Sequence, residues 1–542
     1  MQFMSAEWLA DVVIVGGGSC GSVLAARLSE DPSLEVCLLE AGADDEHWYV
    51  DVPMGLALTV PTKIFNWGFL TEPQPGLGGR RGYQPRGKGL GGSSSINAQI
   101  YIRGHASDYD HWATLGNPGW SWNEVLPYFV KSENNERFVD AFHGQGGPLN
   151  VAHARSPNPF AQRMIDAALA QGLPPVEDFC GAHDEGVGWY QMTQENGERC
   201  NVARAYLRRL KGKRTNLRIV TRARALGLSF DGSRATGVQC LIGDQKVHVR
   251  GRRQVILCAG AFQTPQLLML SGIGAPDDLA AAGVKTRLAL PGVGRNLQDH
   301  LDCALAYRSK APGLIGIGRG LGLKGLQGAR EYRLRRSGMY SSNANEAGAF
   351  VRTLPDLPAP DVQLVFAHAL SENHGRTLRW GSGFAGHACV LHPYSVGRVS
   401  LSSNDPLQAP KIDPAFLSDE RDLETLLRGV KLVKRVLESK TLHDGPPKPL
   451  LEDPIDSDDD LRAFIRNHAD TLYHPVGTCR MGEDPMAVVD AKLRVHGVPG
   501  LRIVDCSVMP TVPGGNTNAP AVMIAERAVE FIQNDLRGDD FR

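Results

Sequence analysis

Gly16, Gly18 and Gly21 stand in the spacing G-x-G-x-x-G behind an apolar run at 12–15, and Glu40 follows about twenty residues on, closing a second apolar run at 36–39. Residues of these types at these intervals bind the pyrophosphate and ribose of a dinucleotide. Gly16 permits the tight turn, Gly18 lets the backbone approach a phosphate, and Gly21 allows the helix to pack on the sheet, with its N-terminal dipole toward the phosphates. Glu40 can accept hydrogen bonds from ribose hydroxyls. The elements that must position them are a strand, a phosphate turn, a helix and a second strand. The turn alone fits FAD and NAD alike. Residues 85–97 add a run of small residues, Gly91, Gly92 and Ser93 among them, whose backbone can lie against a flat ring or a diphosphate. Asn97 at its end can donate and accept hydrogen bonds.

The chain has 542 residues, 42% hydrophobic and 22% charged, which is the balance of a globular protein too long for one ordinary core. Lys and Arg number 58 against 59 Asp and Glu, so no basic field argues for nucleic acid and no acidic field for a cationic partner. The first eight residues lack a basic start and an apolar core, and no apolar run approaches the ~20 residues that cross a bilayer, so a cytoplasmic location is expected. Ten Cys without a Cys-x-x-Cys pair read as buried free thiols, and 16 dispersed His give no metal site.

Nucleotide-binding signals fall in separated places, which predicts a discontinuous domain from residues 1–155, 198–305 and 465–542. Short apolar runs at 217–223 and 254–260 read as buried strands, and Thr264-Pro265-Gln266 as the opening of a helix. Residues 156–197 and 306–464 carry alternating runs at 362–366 and 397–401, which predict a substrate-binding cap on a mixed or antiparallel sheet. The fold class is therefore α/β, a Rossmann-like domain plus a cap. Residues 314–336 mix Gly, Leu, Lys and Arg without a strong period and read as a solvated loop and helix, with a mobile lid or a basic amphipathic surface as the alternatives.

Residues 85–97, continued by Tyr101, Gly104 and Asp110, resemble the first signature of the glucose-methanol-choline (GMC) flavoprotein oxidoreductases, and residues 260–274 resemble the second. Further stretches at 66–74, 293–300, 473–481 and 502–510 are similar to the family, so the resemblance runs nearly end to end. Within the family, the wording of 101–105, 474–482 and 515–520 is similar to choline dehydrogenases and, more closely, to FAD alcohol dehydrogenases of alkane degradation.

The resemblance implies FAD as cofactor. Hydride leaves an alcohol carbon readily only as the hydroxyl proton leaves too, so a base is needed, and an imidazole with a pKa near 6.5 suits the task. His474, in the family's base position, is the expected base, and Asn518, in 514–520, the expected partner opposite the flavin. Ile96 stands where some members carry the His that attaches the flavin covalently, so FAD is expected to be noncovalent. Asp505 and Arg502 are expected beside the ribityl and phosphate portion, and Glu346 in the substrate pocket, where choline oxidisers use an acid. The implied reaction is oxidation of a neutral aliphatic or aromatic primary alcohol to the aldehyde. Choline dehydrogenation, alcohol oxidation by O2 and a hydroxynitrile-lyase-like activity are the alternatives. A quinone or dye-like acceptor is expected over O2, on family wording and on Leu472, where some oxidases carry Val. A quinone would bring the protein to the inner-membrane surface as a peripheral visitor, with 314–336 as the contact; the sequence leaves the oligomeric state open.

Overall fold

A computed structural model describes residues 6–318 and 321–538. Residues 1–5, part of the N-terminal stretch read above, and residues 319 and 320 within 314–336 lie outside the described residues.

The first of two seven-stranded sheets carries the dinucleotide motif. Its spatial order is Leu217–Val220, Val36–Leu39, Ala6–Val15, Gln245–Leu257, Arg234–Ile242, Ala223–Asp231, with Leu501–Ile503 also paired to Gln245–Leu257. Val36–Leu39 runs parallel to both of its neighbours, and Gln245–Leu257 runs parallel to Ala6–Val15 and Leu501–Ile503. The two remaining strands continue as an antiparallel meander. Val12, Val13, Ile14 and Val36 through Leu39 are all buried, as unbroken apolar runs must be when both faces of a sheet are covered. Helix Ser19–Leu28 lies against the terminal helix Asn518–Arg537, and between them Glu526, fully buried, accepts from Arg27 and from the Tyr206 hydroxyl, each at 2.8 Å.

The second sheet is built from Asp470–Thr471, Leu301–Arg308, Gly381–Val390, Val362–Ala367, Ala347–Val351 and Gly186–Trp189, every pairing antiparallel, with Gly316–Ile317 also paired to Gly381–Val390. Helix Glu420–Leu437 packs on it through Leu423, Leu426, Leu427, Val430 and Val433, the apolar stripe of an amphipathic helix. Ala304, Ala306, Val365, Ala367 and His387 line the cavity between the sheets.

Three particulars differ from the sequence reading. The strand at 397–400 joins a separate three-stranded sheet with Arg295–Leu297 and Lys411–Asp413, because alternation reports a half-buried strand without naming its partner. The boundary expected at 305 falls inside Leu301–Arg308, and Asp470–Thr471, assigned with the nucleotide-binding segments, completes the second sheet. Helix Gly260–Leu270 begins four residues before Thr264, so Pro265 lies in its second turn. There a proline leaves the carbonyl of Ala261 without its helical donor, and Thr478 Oγ1 supplies one at 2.6 Å.

Candidate active site

One cavity of about 840 Å³ runs from the Gly16 turn, past Glu40, Ser93 and Asn97, to His474. At its nucleotide end, the approach of two loops explains the glycines. A Cβ on Gly21 would lie 1.9 Å from the Gly16 carbonyl oxygen, and one on Gly92 would lie 2.7 Å from the Cα of Gly18. The Gly91 N–H donates to the Gly17 carbonyl at 2.7 Å and ties the two loops together. Gly18 caps helix Ser19–Leu28 without a side-chain hydrogen bond, so the first-turn N–H groups stay available to an anion. Glu40 is buried, and its carboxylate accepts from the N–H of Gly17 at 2.8 Å and of Gly42 at 2.7 Å. Burial pushes its pKa up, and these bonds act against that rise.

The remaining nucleotide-side residues are held by both local and long-range partners. Asn97 Oδ1 accepts from Arg199 Nη1 at 2.8 Å, while Ser93 Oγ accepts from the Gly87 N–H at 3.2 Å. Asp505 lines the cavity and accepts from the Gly260 N–H at 2.9 Å, Thr264 Oγ1 at 2.6 Å and the Ser507 N–H at 2.8 Å; burial raises its pKa. Its neighbour Arg502 is elsewhere: it is fully buried, ion-paired with Asp535 of the terminal helix, and does not line the cavity. On the buried strand Leu501–Ile503 the Arg502 side chain points to the terminal helix, away from the cleft that Asp505 faces. A cleft with glycine walls that meet backbone to backbone, an uncapped helix start and a buried ribose-side acid fits the adenosine diphosphate part of FAD.

At the other end, the residue before the base carries backbone strain. Tyr473 has φ +76°, unusual for an aromatic residue. Arg86 Nη2 donates to its carbonyl at 2.7 Å, and its N–H donates to Thr471 Oγ1 at 2.7 Å. The N–H of His474 donates to Asp299 Oδ1 at 2.8 Å, which aims the imidazole into the cavity. Burial first, then His300 and the Arg86 cation, hold the His474 pKa well below the usual histidine value, so the ring is neutral at working pH. Its Nδ1 lies 2.9 Å from His300 Nδ1 and its Nε2 lies 3.2 Å from Asn516 Nδ2.

The amide beside His474 is therefore that of Asn516, and the expectation for Asn518 is corrected. The terminal helix starts at Asn518, whose Oδ1 accepts from Ser19 Oγ at 2.7 Å on the nucleotide side. Asn516 sits two residues earlier in the loop and points the other way. Proximity to the helix dipole favoured Asn518, whose side chain bonds Ser19 and not His474. Glu346 is also displaced from its expected role: it is fully buried, accepts from the Asn158 N–H at 2.7 Å and from Ser342 Oγ, and does not line the cavity. Two acids of the second sheet do line the cavity: Asp302, 2.7 Å from His387 Nδ1, and Asp470, 3.0 Å from His374 Nε2. Sequence reasoning gave no role to Asn516, His300, Asp299 or Arg86. The run at 293–300 carried a signal for His300 and Asp299, but no contiguous pattern says that they meet His474.

Such an arrangement serves redox chemistry on a bound dinucleotide. Residues 10–302 and 393–525 match the two sequence profiles of the GMC oxidoreductases. The chain belongs to this family, whose members bind FAD. It is 43% identical over 526 residues to an alcohol dehydrogenase [acceptor] of Pseudomonas putida, covering 96% of this chain and 95% of that one. An oxygen-dependent choline dehydrogenase of Chromohalobacter salexigens is 39% identical, with 96% and 94% covered. Among solved structures, pyridoxine 4-oxidase from Mesorbium loti superposes with a TM-score of 0.86 at 32% identity, covering 97% of this chain and 99% of that one.

Proposed function

We propose that this protein is an FAD-dependent dehydrogenase of neutral primary alcohols, with His474 as base and Asn516 as the donor to the alcohol oxygen. The observation that carries the reading is the His474–Asn516 pair, 3.2 Å apart, at the end of the cavity that begins at the dinucleotide turn. An acceptor and a donor side by side suit a hydroxyl group: the oxygen takes a hydrogen bond from Asn516 and gives its proton to His474. Bound FAD supplies the acceptor for the hydride that leaves the carbinol carbon, and the C–O bond becomes the aldehyde C=O. Asn516 stabilises the negative charge that builds up on that oxygen, a contribution of order 3 kcal/mol in comparable sites.

Neutral substrates are favoured over choline by what lines the sheet side of the cavity. Ala304, Ala306 and Ala367 leave room for a chain or ring, and Asp302 is already paired with His387, whose pKa the carboxylate raises against the opposing effect of burial. With Glu346 outside the cavity, the two carboxylates of this sheet that do line it are both engaged, Asp302 with His387 and Asp470 with His374 at 3.0 Å, so neither is left unpaired for a trimethylammonium group. Ile96 lines the cavity without a nucleophile, which supports noncovalent FAD. Peripheral membrane contact belongs to the same proposal, because a lipid-soluble quinone acceptor would be met at a bilayer. Among the described residues no helix is long and apolar enough to cross a membrane, but helix Leu321–Arg335 exposes Leu323, Leu326 and Leu334 beside Lys324, Arg330 and Arg333.

The test is anaerobic flavin reduction by alcohols of varied length, aromaticity and charge. Neutral alcohols are expected to bleach the flavin and to outperform choline; no bleaching with any alcohol would leave a lyase or a noncatalytic flavoprotein. The reduced enzyme, mixed with quinone or with air, should reoxidise faster with quinone, and acid precipitation should release all the FAD into the supernatant.

A further inference from the structure

The polarity of the hydrogen bonds around His474 is fixed from both sides by backbone carbonyls. On one side, His300 Nε2 lies 2.9 Å from the carbonyl oxygen of Leu391. A carbonyl can only accept, so the hydrogen of a neutral His300 is on Nε2 and its Nδ1 is a lone pair. That lone pair faces His474 Nδ1 at 2.9 Å, and two facing lone pairs would repel, so His474 carries its hydrogen on Nδ1. The lone pair of His474 is then on Nε2, the atom that faces Asn516. His300 is fully buried, which disfavours the protonated ring that would reverse this order.

The second side gives the same answer without reference to the first. The Tyr190 hydroxyl donates to the carbonyl of Leu364 at 2.7 Å, and its single hydrogen is thereby used. Toward Gln363, 3.2 Å away, the hydroxyl must accept, so the NH2 end of Gln363 faces it. The same NH2 donates to Asn516 Oδ1 at 3.2 Å, which turns the NH2 of Asn516 toward His474 Nε2. A donor at that position requires the lone pair that the His300 side had already assigned there. Reversing the Gln363 amide would ask one hydroxyl hydrogen to serve two acceptors.

We propose that His300 and Gln363 are positioning residues that lock His474 in the tautomer with a hydrogen on Nδ1 and a free lone pair on Nε2. This rests on the proposed role of His474 as base. In that role the ring gains a proton on Nε2, and its Nδ1–H then donates more strongly to His300, which has no hydrogen to oppose it. Neither positioning residue lines the cavity, so neither meets the substrate. A fixed tautomer is how other enzymes hold a general base ready, and its loss in a serine protease costs about 10⁴ in rate.

The experiment has a spectroscopic arm and a kinetic arm. Two-bond ¹⁵N–¹H spectra of wild-type holoenzyme labelled with ¹⁵N-histidine, with the His474 signals assigned by their loss in His474→Asn, should show the hydrogen of His474 on Nδ1 and that of His300 on Nε2. His474 protonated on Nε2 would overturn the proposal in the wild-type protein itself. In the kinetic arm, His300→Leu, which removes both hydrogen bonds, should slow anaerobic flavin reduction by about tenfold or more at little changed alcohol affinity. His300→Gln, whose amide can donate to Leu391 and accept from His474, should restore most of the rate. Gln363→Glu, nearly isosteric but acceptor-only when ionised, should slow reduction, because it turns the Asn516 amide around. If His300→Leu and Gln363→Glu both reduce flavin at the wild-type rate, the lock does no work and the proposal fails. If His474→Ala itself is fast, the assignment of the base fails first, and the two failures are thereby told apart.

Discussion

The nucleotide end and the catalytic end of the cavity are built by opposite strategies. At the first, the chain approaches itself backbone to backbone: Gly21 against the Gly16 carbonyl, Gly92 against Gly18, Gly91 bonded to Gly17. Most of the specification lies in two short stretches, and side chains are mainly excluded. At the second, the proposed chemistry rests on side chains from separate places: His474, its neighbour His300 from the 293–300 run, and Asn516 bonded to Gln363 on the second sheet. A cleft that fails should therefore lose the cofactor, whereas a corner that fails should keep it and lose rate. The contrast makes loading and turnover separable by mutation.

The largest expected effects test that separation directly. His474→Ala should lower anaerobic flavin reduction by roughly 10² to 10⁴, the usual worth of a positioned base, with FAD content near normal. Gly92→Val should purify colourless, since its Cβ would meet the Cα of Gly18 at 2.7 Å and neither backbone can yield. A yellow Gly92→Val protein, or a His474→Ala protein without FAD, would break the comparison.

The two asparagines sharpen it, because they are two residues apart and on opposite sides of the divide. Asn516→Ala should slow reduction by about 10² to 10³, as loss of a donor to a developing oxyanion does elsewhere. Asn518→Ala should leave the reduction rate of loaded enzyme near wild type and weaken FAD retention instead, through the lost bond from Ser19. If their effects are exchanged, the loop geometry at 516–518 does not describe the working enzyme. Glu346→Gln tests a smaller point: the ranking of neutral alcohols over choline should not change, because Glu346 bonds to Ser342 and the Asn158 N–H outside the cavity.

Legibility in the sequence followed the same divide. The βαβ motif, both signatures and the α/β class were readable because each is a local pattern of burial and small residues, as in Val12–Val15 followed by the Gly16 turn. The expected edges at 305 and 465 do not coincide with sheet membership, because single strands complete a sheet wherever register allows, and Asp470–Thr471 pairs with Leu301–Asp302 across nearly 170 positions. That His474 lines the cavity was legible from its motif. Its partner was not: the direction of a side chain in the 514–518 loop depends on where the helix begins, and element boundaries are the least certain part of a sequence reading. Glu346 misled for a related reason, since a residue just before a buried strand faces either the cavity or the loop behind it, and the motif does not say which.

The smallest expected effect concerns the corner's stability rather than its rate. His300 is held down to about 4, chiefly by burial and further by nearby His392, against the opposing influence of the Leu391 carbonyl and of Asp108. Above pH 6.5 the ring is neutral in both folded and unfolded chains and has no effect on the pH dependence of folding. As pH falls below 6.5, the unfolded chain takes a proton that the folded site refuses, so stability drops over the window from about 6.5 to 4. For this one group the drop between pH 7 and pH 5 is about 2 kcal/mol. His143, His387 and His392, whose pKa values are raised, change stability in the opposite sense and are common to both proteins in a comparison with His300→Gln. The midpoint of thermal unfolding of the holoenzyme should therefore fall less in His300→Gln than in wild type between pH 7 and pH 5. Parallel pH profiles would mean that His300 is protonated, or free to become so, in the folded state. In that state its Nδ1 would donate to His474 rather than accept, so the same measurement bears on the tautomer from the thermodynamic side.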